Sequence, residues 1–200
     1  NASNGNASFS NSSDPSTLTY VPNAEFNGTD SFAVQVSDGD LSDTIMVNVT
    51  VVNANDVPVI TEGNSTTVTM SEDGSPDAWG APTLTASDVD NAASQLTWSV
   101  STPPSDGAAA PLSLSGSASA FTYSPDADFN GTDSFVVKVS DGNGGEDVIT
   151  VTVAVANVND APVITEGNST TVTMSEDGSP TAWTAPALNV TDVDSADVLT

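Results

Sequence analysis

The chain has 200 residues, with 27 Asp and Glu against a single basic residue, Lys138, and a formal net charge of −26. Such a surface repels nucleic acid and anionic membranes, whose phosphates must be met by Lys and Arg, and it repels itself enough to call for cations or salt. Cys and His are both absent, which rules out disulfides, zinc sites of the usual nitrogen–sulfur type and any Ser-His-Asp or Cys-His mechanism.

The acids are spread along the chain, among β-branched residues, so folded strands are expected rather than a disordered acidic tail. No apolar run reaches the ~18 residues of a membrane helix, and no membrane insertion is expected. No secretion leader is recognisable, and the opening Asn1-Ala2-Ser3-Asn4-Gly5 reads as the middle of a longer polypeptide. With no Cys available, metal is the expected staple of an extracellular chain.

In chain order the same unit returns in a shifted frame. Residues 55–76, from Asn55 to Pro76, recur from Asn159 to Pro180 with only Val57 changed, to Ala161, an offset of 159 − 55 = 104. Phe26-Asn27-Gly28-Thr29-Asp30-Ser31-Phe32 recurs as Phe129 to Phe135, an offset of 129 − 26 = 103. A period of this size is that of an immunoglobulin-like sandwich. Residues 1–58 therefore read as the C-terminal part of one repeat, 59–160 as a complete repeat and 161–200 as the N-terminal part of the next. The end pieces are an arbitrary window on a longer array, or else half-domains of successive chains that complement each other head to tail.

Inside the complete repeat, Val68 and Met70, Leu84 and Ala86, Leu96 and Trp98, and Phe121 and Tyr123 mark successive inward positions of strands. Phe135, Val137 and Val139 then alternate with Ser134, Val136 and Lys138, and Ile149, Val151, Val153 and Val155 with Thr150, Thr152 and Ala154. Asp141-Gly142-Asn143-Gly144-Gly145 between them supplies residues that tolerate positive φ, so this pair is a hairpin. No useful 3.6-residue period occurs. The expected fold is all-β: tandem Greek-key sandwiches, each of seven short antiparallel strands, A to G, joined by short linkers.

That topology places the acids. The B–C and F–G loops lie where the chain enters a sandwich, and the A–B turn and E–F connection at the opposite end. Asp88, Asp90 and Asp141 are then expected around the linker Asn53-Ala54-Asn55-Asp56, with Pro58 leading into strand A. Glu72, Asp73 and Asp133 are expected around the next linker, Asn157-Val158-Asn159-Asp160, where Asp192 and Asp194 arrive from the following repeat. Two unit charges ~4 Å apart repel by ~4 kcal/mol at an effective dielectric near 20, so such a group needs an ion. A hard cation with six to eight oxygen ligands suits loops from two domains, and calcium suits them better than magnesium, which demands strict octahedral geometry. Asp147, at the exposed start of strand G, is expected to matter little.

These residues resemble the cadherin family, and more closely the bacterial cadherin-like repeats of large secreted adhesins. Asp88-Val89-Asp90-Asn91 resembles the family's B–C Asp-x-Asp ligands, Val139-Ser140-Asp141-Gly142 its Ala-x-Asp-x-Gly segment, and Asn53 to Pro58 and Asn157 to Pro162 its Asp-x-Asn-Asp-x-x-Pro linker. Glu72 stands where the family has an A–B turn Glu. Tyr-x-Pro-x-x-x-Phe-Asn-Gly-Thr-Asp-Ser-Phe, at 20–32 and 123–135, resembles the bacterial signature. The resemblance implies bound Ca2+ at both joints, held by Asn53, Asn55, Asp56, Glu72, Asp73, Asp88, Asp90, Asp133, Asp141, Asn157, Asn159, Asp160, Asp192 and Asp194. Two departures stand out: the Asp-Arg-Glu motif is absent, with Asn130 or Asp133 in its place, and each linker opens on Asn instead of Asp.

Other features have plainer readings. The Asp88-Val89-Asp90 run lacks the Gly and Glu spacing of an EF-hand. Sequons such as Asn27-Gly28-Thr29, Asn64-Ser65-Thr66 and Asn130-Gly131-Thr132 read as turn-formers rather than glycan sites. Trp98 is expected in the core, whereas Trp79 and Trp183, in Ser-Pro-x-Ala-Trp loops, are open to sugar stacking. Paired carboxylates without a cleft do not make a glycosidase. The expected function is non-enzymatic: a calcium-stiffened spacer of an extracellular adhesin, biofilm component or surface filament, partnered by neighbouring repeats. The alternatives are a calcium-dependent polysaccharide-binding module and homophilic adhesion between copies.

Overall fold

A computed structural model of the chain describes residues 2–110, 114–115 and 121–194; part of the 161–200 piece therefore lies outside the described residues. Its strands are β1 (Gly5–Phe9), β2 (Leu18–Pro22), β3 (Gly28–Ser37), β4 (Ser42–Val51), β5 (Val59–Ile60), β6 (Ser65–Ser71), β7 (Ala86–Ser87), β8 (Thr97–Thr102), β9 (Gly107–Ala110), β10 (Leu114–Ser115), β11 (Thr122–Pro125), β12 (Gly131–Ser140), β13 (Glu146–Ala156), β14 (Val163–Ile164) and β15 (Val190–Thr191). The fold is an all-β sandwich.

The centre of residues 59–160 is the β12–β13 hairpin. Its alternation is a consequence of side chains pointing to opposite faces of a pleated strand. Phe135, Val137 and Val139 are buried opposite Val151, Ile149 and Asp147 of β13, and their neighbours face out. Gly142 and Gly144 turn the chain with φ of 79° and 108°, a region only glycine enters freely. The hairpin sits within a five-stranded sheet ordered β10-β8-β12-β13-β6. The pairs β5–β7 and β9–β11 complete the layers around one core, which joins Ile60, Leu84, Leu96, Trp98, Phe121 and Tyr123 to the hairpin's inward residues. Each fully buried Val, Leu, Ile or Phe contributes roughly 1.5–3 kcal/mol of transfer free energy.

The expectation of purely antiparallel strands needs correction at one place: β6 runs parallel to β13, from Ser65 opposite Thr150 to Ser71 opposite Ala156. Seven strands alternating in direction leave the first and last pointing the same way, so they can only meet in parallel. Asp147 also corrects its reading, because its Oδ2 accepts from the backbone N–H of Ile60 at 2.8 Å and ties β5 to β13. Glu62 makes a comparable tie, accepting from the backbone N–H of Thr85 at 2.9 Å and its hydroxyl at 2.8 Å. In the following copy, Glu166 takes the same part towards Asn189.

Residues 2–52 repeat the later strands, with β1 on β2 and β3 on β4. Tyr20 and Phe32 stack at 5.9 Å and 5°, as Tyr123 and Phe135 do at 6.1 Å and 6°. The inward-type residues Val36 and Ile45 are exposed there, and so are Val163, Ile164, Met174 and Trp183 in residues 161–194.

Candidate metal centre

At the first linker the B–C and F–G loops of the complete repeat close on residues 55 and 56. Asp90 Oδ2 accepts from the backbone N–H of Asp56 at 2.7 Å, and Asp141 Oδ2 from the Asn55 side-chain amide at 2.6 Å. Asp141 Oδ1 also accepts from the backbone of Asn143 and Gly145, an Asx turn that fixes the carboxylate. A side chain at Gly145 would collide with that carboxylate and with Val57 and Pro58 of the linker. The Asn55 bond, opposed by burial and assisted by the loop N–H groups, holds the Asp141 carboxyl below the ordinary carboxylate range.

The Asp-x-Asp loop is shaped by Asp88, whose Oδ1 accepts from the backbone of Asp90 at 2.8 Å and Asn91 at 2.9 Å. Its other oxygen, Oδ2, is buried with no hydrogen-bond partner, and so is Asn91 Oδ1. From the preceding unit, the Asn27 amide donates to Asn53 Oδ1 at 2.9 Å. Glu25 lies beside Asp56; the charge of Asp56 and its hydrogen bond, then burial and Asp90, push the Glu25 carboxyl up.

The second linker repeats the pattern with the opposite end of the complete repeat. Glu72 Oε1 accepts from the backbone N–H of Val158 at 2.6 Å. Asp194, from the following copy, accepts from the backbone N–H of Asp160 at 2.6 Å and from the Asn157 amide at 2.8 Å. Asp192 Oδ2, the counterpart of the Asp88 atom, is likewise buried without a partner among the described residues. Burial, then the charges of Asp73, Asp128, Asp194 and Glu72, raise the Asp160 carboxyl. The side-chain amides of Asn55 and Asn159 donate to the carbonyls of Asp56 and Asp160, curling each linker in the same way.

Asp133 is not among these residues. It is 4% exposed, and its carboxylate accepts from the backbone of Ser105, Asp106 and Ser134, the Ser105 hydroxyl and the Tyr123 hydroxyl. Burial alone would raise its pKa, but these bonds outweigh it and the carboxyl is held low. Asp133 thus secures the loop before β9, and Asp30 does the same with Ser3, Asn4, Ser31 and Tyr20. The carboxylates supplied to the joints by the E–F connection are Glu25 and Asp128, which sequence reasoning missed. Both hold left-handed backbone, φ 60° and 59°, uncommon for a non-glycine residue. The available signal was an acid directly before Phe-Asn-Gly in both copies.

Two other readings change. Asn27 and Asn130 spend their amides on Asn53 and Asn157, so their sequon asparagines brace the linkers. Trp79 is no sugar platform: it packs against Tyr123 at 5.7 Å and Phe135 at 6.4 Å and donates its indole N–H to the Phe121 carbonyl.

Among the described residues no group of three Asp, Glu, His or Cys closes into a ready-made metal cage. The joints nevertheless fit a cation: acceptor-only oxygens are buried without donors, and the neighbouring carboxylates that raise Glu25, and with burial raise Asp160, meet no salt-bridge partner among the described residues. Lys138 is engaged at the surface with Glu146, at 2.7 Å.

Fold and joints together define a bacterial cadherin-like, immunoglobulin-like repeat. The sequence model of the bacterial Ig domain matches residues 1–50 and 55–154, and the chain belongs to that family. Its fold is similar to that of protocadherin gamma B7 extracellular cadherin domains 1–4, with a TM-score of 0.54 and 20% identity over 98% of this chain and 50% of that one. Protocadherin gamma B2 extracellular cadherin domains 1–5 align with a TM-score of 0.51 and 17% identity over 96% of this chain. The chain spans 50% and 38% of the lengths of these two structures. No curated protein matches the sequence. Among the described residues no helix is long and apolar enough to cross a membrane.

Proposed function

We propose that the chain is a non-enzymatic spacer of an extracellular bacterial adhesin or surface filament, stiffened by calcium where its repeats join. The observation that carries this reading is the pair of equivalent orphaned oxygens, Asp88 Oδ2 and Asp192 Oδ2. A buried acceptor without a donor is destabilising by ~1–3 kcal/mol, and more when charged, so its recurrence in both copies calls for an electropositive partner. With all but one of the charged residues acidic, that partner comes from solution. Asp56, Asp88, Asp90, Asp141 and Glu25 would hold it at the first joint, and Glu72, Asp73, Asp128, Asp160, Asp192 and Asp194 at the second. The ion supplies charge neutralisation and a bridge between loops of successive repeats; the linkers, anchored by Pro58 and Pro162, supply the limited reach.

The polysaccharide alternative loses Trp79 to the core and rests on Trp183 alone, which is 58% exposed. Calorimetric titration of the metal-stripped chain with calcium tests the proposal. Saturable binding that magnesium cannot match supports it; no heat of binding up to millimolar calcium rejects it.

A further inference from the structure

At the second joint a chain of side-chain hydrogen bonds crosses from one repeat to the next. The Asn130 amide, on the E–F connection, donates to Asn157 Oδ1 at 2.7 Å. The Asn157 amide in turn donates to Asp194 Oδ1 at 2.8 Å, on the B–C loop of the following repeat. The other carboxylate oxygen of Asp194 accepts from Asp160 N–H at 2.6 Å, and the residue is only 9% exposed. A side-chain amide accepts and donates at once, so Asn157 can relay the contact. A carboxylate at 157 could take the Asn130 bond but would face Asp194 as a like charge. At the first joint the relay is half made: Asn27 reaches Asn53, while Asp90 is held by the backbone of Asp56.

We propose that Asn157 is a positioning residue which braces this joint in the absence of metal and orients the Asp194 carboxylate before an ion arrives. The brace stands on its own geometry; its benefit to ion binding rests on the calcium reading above. Part of the ordering of the two repeats is then complete before calcium binds, and calcium tightens a joint that is already aligned.

The absence of cysteine allows a clean test. Ser101→Cys and Thr184→Cys, both exposed and on opposite sides of the joint, take a nitroxide pair for distance measurement in chelator and in millimolar calcium. In chelator, Asn157→Asp should broaden the distribution relative to the parent chain, and Asn130→Ala should broaden it less. Calcium should narrow Asn157→Asp again, whereas Asn53→Asp, at the half-made relay, should leave this distribution unchanged. Calcium affinity of Asn130→Ala should fall roughly threefold to tenfold, the equivalent of one hydrogen bond. Equal widths in chelator for the parent, Asn157→Asp and Asn130→Ala would overturn the brace. Broadening by Asn157→Asp, with calcium changing no distribution, would keep the brace and remove the calcium reading instead.

Discussion

The hydroxyl of Tyr123 donates to the buried carboxylate of Asp133 at 2.9 Å, and Tyr20 meets Asp30 at the same distance in the preceding copy. The two ends of the Tyr-x-Pro-x-x-x-Phe-Asn-Gly-Thr-Asp signature are therefore one contact: a phenol and a carboxylate that lock the loop before β9 and before β1.

Asp133→Asn should lower the stability of the complete repeat by about 1.5–3 kcal/mol, the range for hydrogen bonds to a charged group. Because the folded carboxyl is held below its ordinary value, this stabilisation is present above the unfolded pKa of ~3.9 and is lost as pH falls through the depressed folded value. Urea unfolding across the acid range should show a shallower acid limb in Asp133→Asn. Calcium stoichiometry should not change; a lost ion would return Asp133 to the ligand set.

Calcium should raise the thermal midpoint relative to chelator at matched ionic strength. Ligand at 100 times its dissociation constant adds ~2.7 kcal/mol per site. Calorimetric scans should show the shift, and equal midpoints would contradict a structural role for the ion.

Asp90→Ala and Asp147→Ala should separate binding from folding. Asp90 faces the linker, so its loss should weaken calcium at the first joint. Asp147 holds the N–H of Ile60, so its loss should cost about 1–2 kcal/mol of stability and leave calcium affinity unchanged. Titration calorimetry beside denaturant melts resolves the two.

The acids of the joints have the opposite pH sign from Asp133. Glu25 and Asp160 are raised in the folded chain, so in chelator the folded state binds protons more readily than the unfolded one. Their contribution is fully present below the ordinary carboxylate pKa and is lost as pH rises through the raised folded values. Calcium should cancel that loss, and its affinity should fall on mild acidification as protons compete for the same oxygens. Titrations at neutral and mildly acidic pH should show proton release accompanying calcium uptake.

Much of this was legible in the residues themselves. The strict alternation from Phe135 to Val139 and from Ile149 to Val155 fixes the hairpin and its buried face, and the loops it implies bring Asp90 and Asp141 to the linker. The same alternation carries a second signal. Asp133 is in phase with Phe135 and Val137, and Asp147 with Ile149 and Val151, so both acids belong to the inward face. A polar residue at an inward position finds its donors in distant chain, at Ser105 or Ile60, and no local pattern names them. Glu25 and Asp128 were hidden differently, since each lies in a left-handed turn closed by a backbone bond, from Phe26 N–H to the Asn23 carbonyl and from Phe129 N–H to the Asp126 carbonyl. Trp79 sits in a loop with no periodicity, and only the space beside Tyr123 and Phe135 explains it.

The parallel pairing of β6 with β13 has a mechanical consequence. The chain enters the complete repeat just before β5 and leaves it at the end of β13. A tensile load applied at the two linkers therefore pulls β6 and β13 in opposite senses along their common axis. From Ser65 beside Thr150 to Ser71 beside Ala156, the whole ladder bears that load in shear. Its hydrogen bonds must yield together, where a hairpin pulled from its open end would unzip one bond at a time.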